Sequence, residues 1–135
     1  MSGSLPPDVV NGASLRGNEY GWRIHDFLGA LSAAKSRGLA CLGGQFQFRL
    51  RDGTYEMYWL NADSTNRCNG EAWADYSERS CSEVHDKFRD LVSKTDFAKE
   101  ASKWGLISSA VEGLVFVAYF ETESSLPPLS AMPRR

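Results

Sequence analysis

Residues 45–61 read QFQFRLRDGTYEMYWLN, two alternating runs on either side of Asp52-Gly53. Asp-Gly between such runs is a strong short-range hairpin signal, because a type I′ turn needs positive φ at both central residues. With Asp52 and Gly53 in the turn, Arg51 is expected opposite Thr54, Leu50 opposite Tyr55, Arg49 opposite Glu56, Phe48 opposite Met57, Gln47 opposite Tyr58 and Phe46 opposite Trp59. Side chains alternate along a strand. Phe46, Phe48, Leu50, Tyr55, Met57 and Trp59 therefore share one face, and Gln47, Arg49, Arg51, Thr54, Glu56 and Tyr58 share the other. Arg49 and Glu56 form an opposite-charge cross-strand pair in this register. A one-residue slip would turn the apolar set into water, so the faces are well specified. A lone hairpin is marginal in water, and its apolar face must be covered by the segments around it.

Those segments read as helices. From about residue 22 to 37, Ile24, Phe27, Leu28, Leu31 and Ala34 follow the spacing of one buried stripe, Lys35 and Arg37 suit the last turn, and Gly38 suits the C′ position. Gly43-Gly44 marks a bulge or bend before Gln45. Residues 61–70 (NADSTNRCNG) are turn formers. A second helix is expected over residues 71–92, capped by Asn69, with Trp73, Tyr76 or Ser77, Cys81, Val84, Phe88 and Leu91 inward and most charges outward. A shorter one is expected over 96–104, with Thr95 as cap and Gly105 as stop. A second hairpin is expected over 106–122, turning at Glu112-Gly113, and its last strand LVFVAYF is apolar on both sides of the pleat. Residues 1–17 read as a mobile lead-in, in which Val9 and Val10 are candidates for a short edge piece, and 124–135 as a disordered tail rich in proline. The expected fold is α+β. One domain over residues 18–123 has an antiparallel sheet of about four strands (hairpins 45–61 and 106–122) and helices (22–37, 71–92, 96–104) on one face.

At 135 residues the chain fits one core, and a net charge of −2 argues against a nucleic-acid backbone or an anionic membrane as the main partner. No apolar run approaches the length of a membrane span. The first residues lack the charged and apolar regions of a secretory signal, and three widely spaced cysteines read as reduced thiols, which together predict a cytoplasmic protein.

Candidate chemistry is sparse. Cys68, Cys81 and His85 give C-x12-C-x3-H, which lacks the close ligand pairs of a zinc site and the third group of a Cys-His nucleophile, so no metal or cofactor is expected. Glu71, Asp75, Glu78, Glu83 and Asp86 fall on the solvent side of a helix by spacing. Asn61, Asp63, Thr65 and Arg67 crowd donors and acceptors before a helix N-terminus and are the candidate ligand-binding residues, although turn chemistry also accounts for them. The outer sheet face offers Arg49, Arg51 and Tyr58 beside one side of the last strand, either Leu114, Phe116, Ala118 and Phe120 or Val115, Val117 and Tyr119. An apolar strip rimmed by Arg and Tyr has the composition of a protein interface. Aromatic groups beside arginines also occur on RNA-binding sheets, but the element order and the charge do not suit one. The expectation is a small non-catalytic interaction protein, in character like toxin-neutralising inhibitors by analogy only. Its partner is a protein or a second copy, through Arg49, Arg51, Tyr58, Val115, Val117 and Tyr119. The alternative is a ligand-binding protein or enzyme with a pocket near residues 61–70.

Overall fold

The computed structural model describes residues 5–125. It is an α+β fold with a single antiparallel sheet. In chain order the elements are α1 (Pro7–Val10), β1 (Ala13–Arg16), β2 (Glu19–Trp22), α2 (Ile24–Ser36), β3 (Ala40–Leu50), β4 (Gly53–Asp63), α3 (Trp73–Lys94), α4 (Phe97–Lys103) and β5 (Leu114–Glu121), with 3-10 turns at Ser108–Gly113 and Glu123–Ser125. The strand order is β1-β2-β5-β3-β4, so β5 lies in the centre and β4 at one edge.

Residues 45–61 are a hairpin, in a register two residues from the expected one. Leu50 pairs with Gly53, Arg49 with Thr54, Gln47 with Glu56 and Phe46 with Met57. No described non-glycine residue has positive φ, so Asp52 does not supply the first position of a type I′ turn, and the loop is Arg51-Asp52. A change of two preserves the faces, and Phe46, Phe48 and Met57 are fully buried. Beyond Met57 the pairing resumes at Gln45–Asn61. The intervening residues bulge, which reverses the alternation: Leu60 and Ala62 are buried, and Trp59, expected inward, is 53% exposed.

The helices run close to their expected spans, with different caps. Ala72 rather than Asn69 precedes α3, because the turn at residues 68–71 is closed instead by Glu71, whose Oε1 accepts from Cys68 N at 2.9 Å. Asp96 rather than Thr95 caps α4, accepting from Lys99 N at 3.1 Å. Gly38 does terminate α2 with φ +74°, a conformation glycine takes at no steric cost. Phe27, Phe46, Phe88 and Phe116 bring α2, β3, α3 and β5 to one centre, with ring centroids 4.6–5.5 Å apart.

Two expectations are corrected. Residues 7–16 are not a mobile lead-in but α1 and β1, and they extend the sheet: Trp22 Nε1 donates to Val9 O at 3.0 Å inside the core. Residues 106–122 are not a hairpin, since Ser108–Gly113 form a 3-10 turn. β5 pairs instead with β2 and β3, which explains its apolar composition on both faces. Of the expected tail 124–135, Ser124 and Ser125 belong with Glu123 to a short 3-10 turn, and residues 126–135 lie outside the described residues.

Candidate functional site

The outer sheet face does not carry an open apolar strip. Leu114, Phe116, Ala118 and Phe120 point into the core, as one of the two alternatives required, which leaves Val115, Val117 and Tyr119 outward. Val115 and Val117 are nevertheless buried, which takes both out of the expected contact surface. Arg49 lies across this face. Its Nε donates to Gln47 Oε1 (2.8 Å), Nη1 to Ser14 O (2.9 Å) and Nη2 to Glu19 O (2.9 Å). A Cβ at Gly21 would lie 3.1 Å from Arg49 Cζ and 2.8 Å from Val115 Cγ2, so only glycine lets the guanidinium pass. Arg16 reaches the β3–β4 turn, donating to Leu50 O (3.1 Å) and Thr54 Oγ1 (2.8 Å). Burial lowers the Arg49 pKa, and the neighbouring Arg16 charge adds to this. Tyr119 donates to Glu19 Oε2, and burial together with that carboxylate pushes its pKa up to about 12. The two arginines fasten the β1–β2 hairpin to β3. Arg51 is exposed in the turn.

The 61–70 segment is likewise occupied by its own contacts. Asn61 Nδ2 donates to Tyr58 O (2.7 Å), and Lys87 Nζ donates to Asp63 O (2.6 Å). Thr65 N donates to Glu83 Oε1 (2.8 Å), and Arg67 Nε donates to Glu71 O (3.0 Å) with its guanidinium over the Trp73 ring. The hub is Arg79, which the sequence reading did not single out. Its guanidinium donates to both Glu71 oxygens (2.8 and 2.9 Å), to Glu83 Oε2 (2.9 Å), to Thr65 Oγ1 (2.6 Å) and to Asn66 O (3.1 Å). The Arg79 hydrogen bonds, with that from Cys68 N, hold Glu71 at about 2, and Glu71 in turn raises the Arg79 pKa. Burial works against the Glu83 carboxylate, but its bonds from Thr65 N and Arg79 prevail and lower it. This arrangement clamps the loop to α3 and spends the donors that an anion would have used.

Among the described residues no three His, Cys, Asp or Glu side chains gather as a metal would require. Cys68 is exposed, while Cys41 and Cys81 are buried. Burial pushes both buried thiols up, so they stay protonated at neutral pH and are weak nucleophiles.

The aromatic surface lies elsewhere. Tyr58 (64% exposed) faces outward as its parity requires, the bulge turns Trp59 outward as well, and Trp104, just past α4, is 41% exposed. Trp59 and Trp104 stack with centroids 6.2 Å apart at 24°, and Tyr55 meets Trp104 edge-on at 5.4 Å. Glu100 joins them: its Oε1 accepts from Trp59 Nε1 at 3.1 Å, and its Oε2 pairs with Lys103 Nζ at 3.1 Å. Of the residues expected at an interface, Tyr58 alone belongs to this group. Trp59 is expected inward from its spacing, although Leu60 and Ala62, out of phase with Met57, signal the reversal.

No protein-family model, curated protein or solved structure matches this chain. Its function rests on these surfaces alone. No described helix is long and apolar enough to cross a membrane.

Proposed function

We propose that this chain is a non-catalytic interaction protein that self-associates through the aromatic group at the β4–α4 edge, Tyr58, Trp59 and Trp104. The observation that carries this reading is the bulge, which breaks an edge ladder and turns Trp59 toward water, stacked on the partly exposed Trp104 and next in the chain to the exposed Tyr58. Tyr and Trp are the residues that anchor protein interfaces, and a contiguous exposed patch of them is unusual on a monomer. A two-fold contact must complement itself. Glu100 lies beside Lys99 and Lys103 on α4, so both signs of charge flank the rings. The bulge also breaks the flat edge along which strands add without limit, which favours a closed contact through side chains.

The test is light scattering across a dilution series on the full chain and on Trp59→Asp and Trp104→Asp. A dimer that both substitutions dissociate, with circular dichroism unchanged, is the expected result. A parent chain that is monomeric over the whole series, or a dimer that ignores both substitutions, overturns the proposal.

A further inference from the structure

A second surface is built from different elements. α2 and α3 pack antiparallel. One end of their contact is closed by Phe27 against Phe88, with ring centroids 4.8 Å apart, and the other by Lys35 beside Glu78, 4.0 Å between Nζ and Oε2. Between these ends Leu28, Leu31 and Ser32 on α2 face Cys81, Ser82 and His85 on α3. The first set follows i, i+3, i+4 spacing and the second i, i+1, i+4, so each lies within about one turn of its helix. The space left is a cleft of about 510 Å³, within the range of about 300–1,000 Å³ typical of small-molecule sites.

The cleft has two chemical zones. Leu31 and Cys81 are buried and Leu28 is half-buried, which makes an apolar floor. The rim carries Lys35, Ser32, Ser82, His85 and Asp86. Lys35 Nζ stands at the outer limit of ion pairing with Glu78, and its side chain is 43% exposed. His85 Nδ1 donates to Asp86 Oδ1 at 3.0 Å, which orients the ring and makes Nε2 the acceptor nitrogen of the neutral imidazole. The Ser32 and Ser82 hydroxyls have no partner among the described residues. Asp86 stands 83% exposed with one oxygen on His85, so the groups able to donate to a ligand are the Lys35 ammonium and the two serine hydroxyls.

We infer that this cleft is a binding site for a small amphipathic carboxylate, its apolar chain on Leu28, Leu31 and Cys81 and its carboxylate at Lys35 and the Ser32 and Ser82 hydroxyls. The head group has to be an acceptor, because the unpaired donors at the rim are an ammonium and two hydroxyls, and a tail is needed because the floor has no polar group but a protonated thiol. Binding here is independent of the aromatic edge and of self-association.

The probe is octanoate, titrated into the full ¹⁵N-labelled chain and followed by amide chemical shifts, with octanol as the uncharged comparison. Saturable shifts confined to residues 28–35 and 78–86, with a Kd of about 1 mM or tighter, are expected. Losing a charge-assisted bond should weaken octanoate binding by about tenfold in Lys35→Gln, and octanol should bind the parent chain correspondingly less well. Ser32→Trp, an exposed position, fills the cleft and should abolish the shifts while leaving the rest of the spectrum in place. Shifts that do not saturate, shifts centred on other elements, octanol binding as tightly as octanoate, or Lys35→Gln binding as well as the parent would each overturn the inference.

Discussion

Trp59→Ala and Trp22→Ala are one chemical change in two environments, and the bulge in β4 predicts that they differ sharply. Trp22 is fully buried, with the rings of Phe27 and Phe120 each 5.8 Å away and its Nε1 bonded to Val9 O at 3.0 Å. Truncating it leaves a cavity, at about 3–5 kcal/mol, and an unpaired buried carbonyl, at about 1–3 kcal/mol. The sum approaches the whole stability of a typical domain, about 5–15 kcal/mol. Trp59 is 53% exposed, and truncation opens no cavity. It loses the stack on Trp104, about 0.5–1.5 kcal/mol, and one exposed bond to Glu100, about 0.5–1.5 kcal/mol, so about 1–3 kcal/mol in all. Urea unfolding with matched m-values measures both. Should Trp22→Ala fail to fold, Trp22→Phe keeps most of the ring and loses mainly the Val9 bond, at about 1–3 kcal/mol. A Trp59→Ala cost above about 3 kcal/mol would mean that the indole is packed inward, as uninterrupted pairing requires, and would refute the reversal at the bulge.

Three further outcomes follow from single residues. Gly29 sits on the exposed side of α2, and a Cβ there meets nothing within 4 Å, so Gly29→Ala should raise unfolding free energy by about 0.4–1 kcal/mol, and a loss would show that the helix is strained there. Glu71 is held at about 2 against an ordinary value of 4.5 by Arg79 and Cys68 N; a depressed carboxyl contributes fully above its unfolded pKa and loses that contribution as pH falls through the folded one. Stability measured against pH should therefore fall less steeply between those values in Glu71→Gln than in the parent, and parallel curves would refute the clamp. Gln47 is 1% exposed, its Nε2 has no partner and its Oε1 accepts from Arg49. Gln47→Met removes a buried orphan donor, a gain of about 1–3 kcal/mol, and a bond to a guanidinium, a loss of about 1.5–3 kcal/mol. Denaturation should thus place it within about 1 kcal/mol of the parent, with Gln47→Ala well below; equal costs for the two would show that Nε2 is satisfied after all.

What could be read from residues 45–61 depended on parity. Pairing Leu50 with Gly53 instead of Tyr55 changes every partner but no face, so Phe46, Phe48 and Met57 reach the core under either register. The bulge changes the parity, and the faces fail from Trp59 onward. Helical stripes were legible for a similar reason: Phe27, Leu31 and Ala34, and Val84 and Phe88, are fixed by spacing whatever the caps do. The N-terminal hairpin was not, because Ala13–Arg16 and Glu19–Trp22 are short and mostly polar, and Gly17-Asn18 between them was their one turn signal. Arg79 was hidden among the charges of α3, since sequence spacing does not show that residues 61–70 fold back over it. The spacing of Cys81 and His85 gave no zinc or nucleophile motif, and what it could not show is that they line one cleft with Lys35 and Leu28 from α2, which no local motif could supply.

The placement of β5 decides how the apolar surfaces should be understood. A strand apolar on both sides can mean an interface strip, if it stands near an edge, or a central position. β5 pairs with β2 on one side and β3 on the other, and the hairpin tied down by Arg16 and Arg49 leaves Val115 and Val117 buried. Its composition is thus accounted for within one chain, and Val117→Asp should act as a core lesion rather than as a probe of association. Trp59, left half in water with only the Trp104 stack and the Glu100 bond beside it, is different: β4 is an edge strand, the bulge is what exposes the indole, and a regular ladder would have kept it inside. A chain that forgoes burying a tryptophan gives up roughly 1.5–3 kcal/mol or more, and the compensating contact should therefore be sought along β4 and α4 rather than on the sheet face.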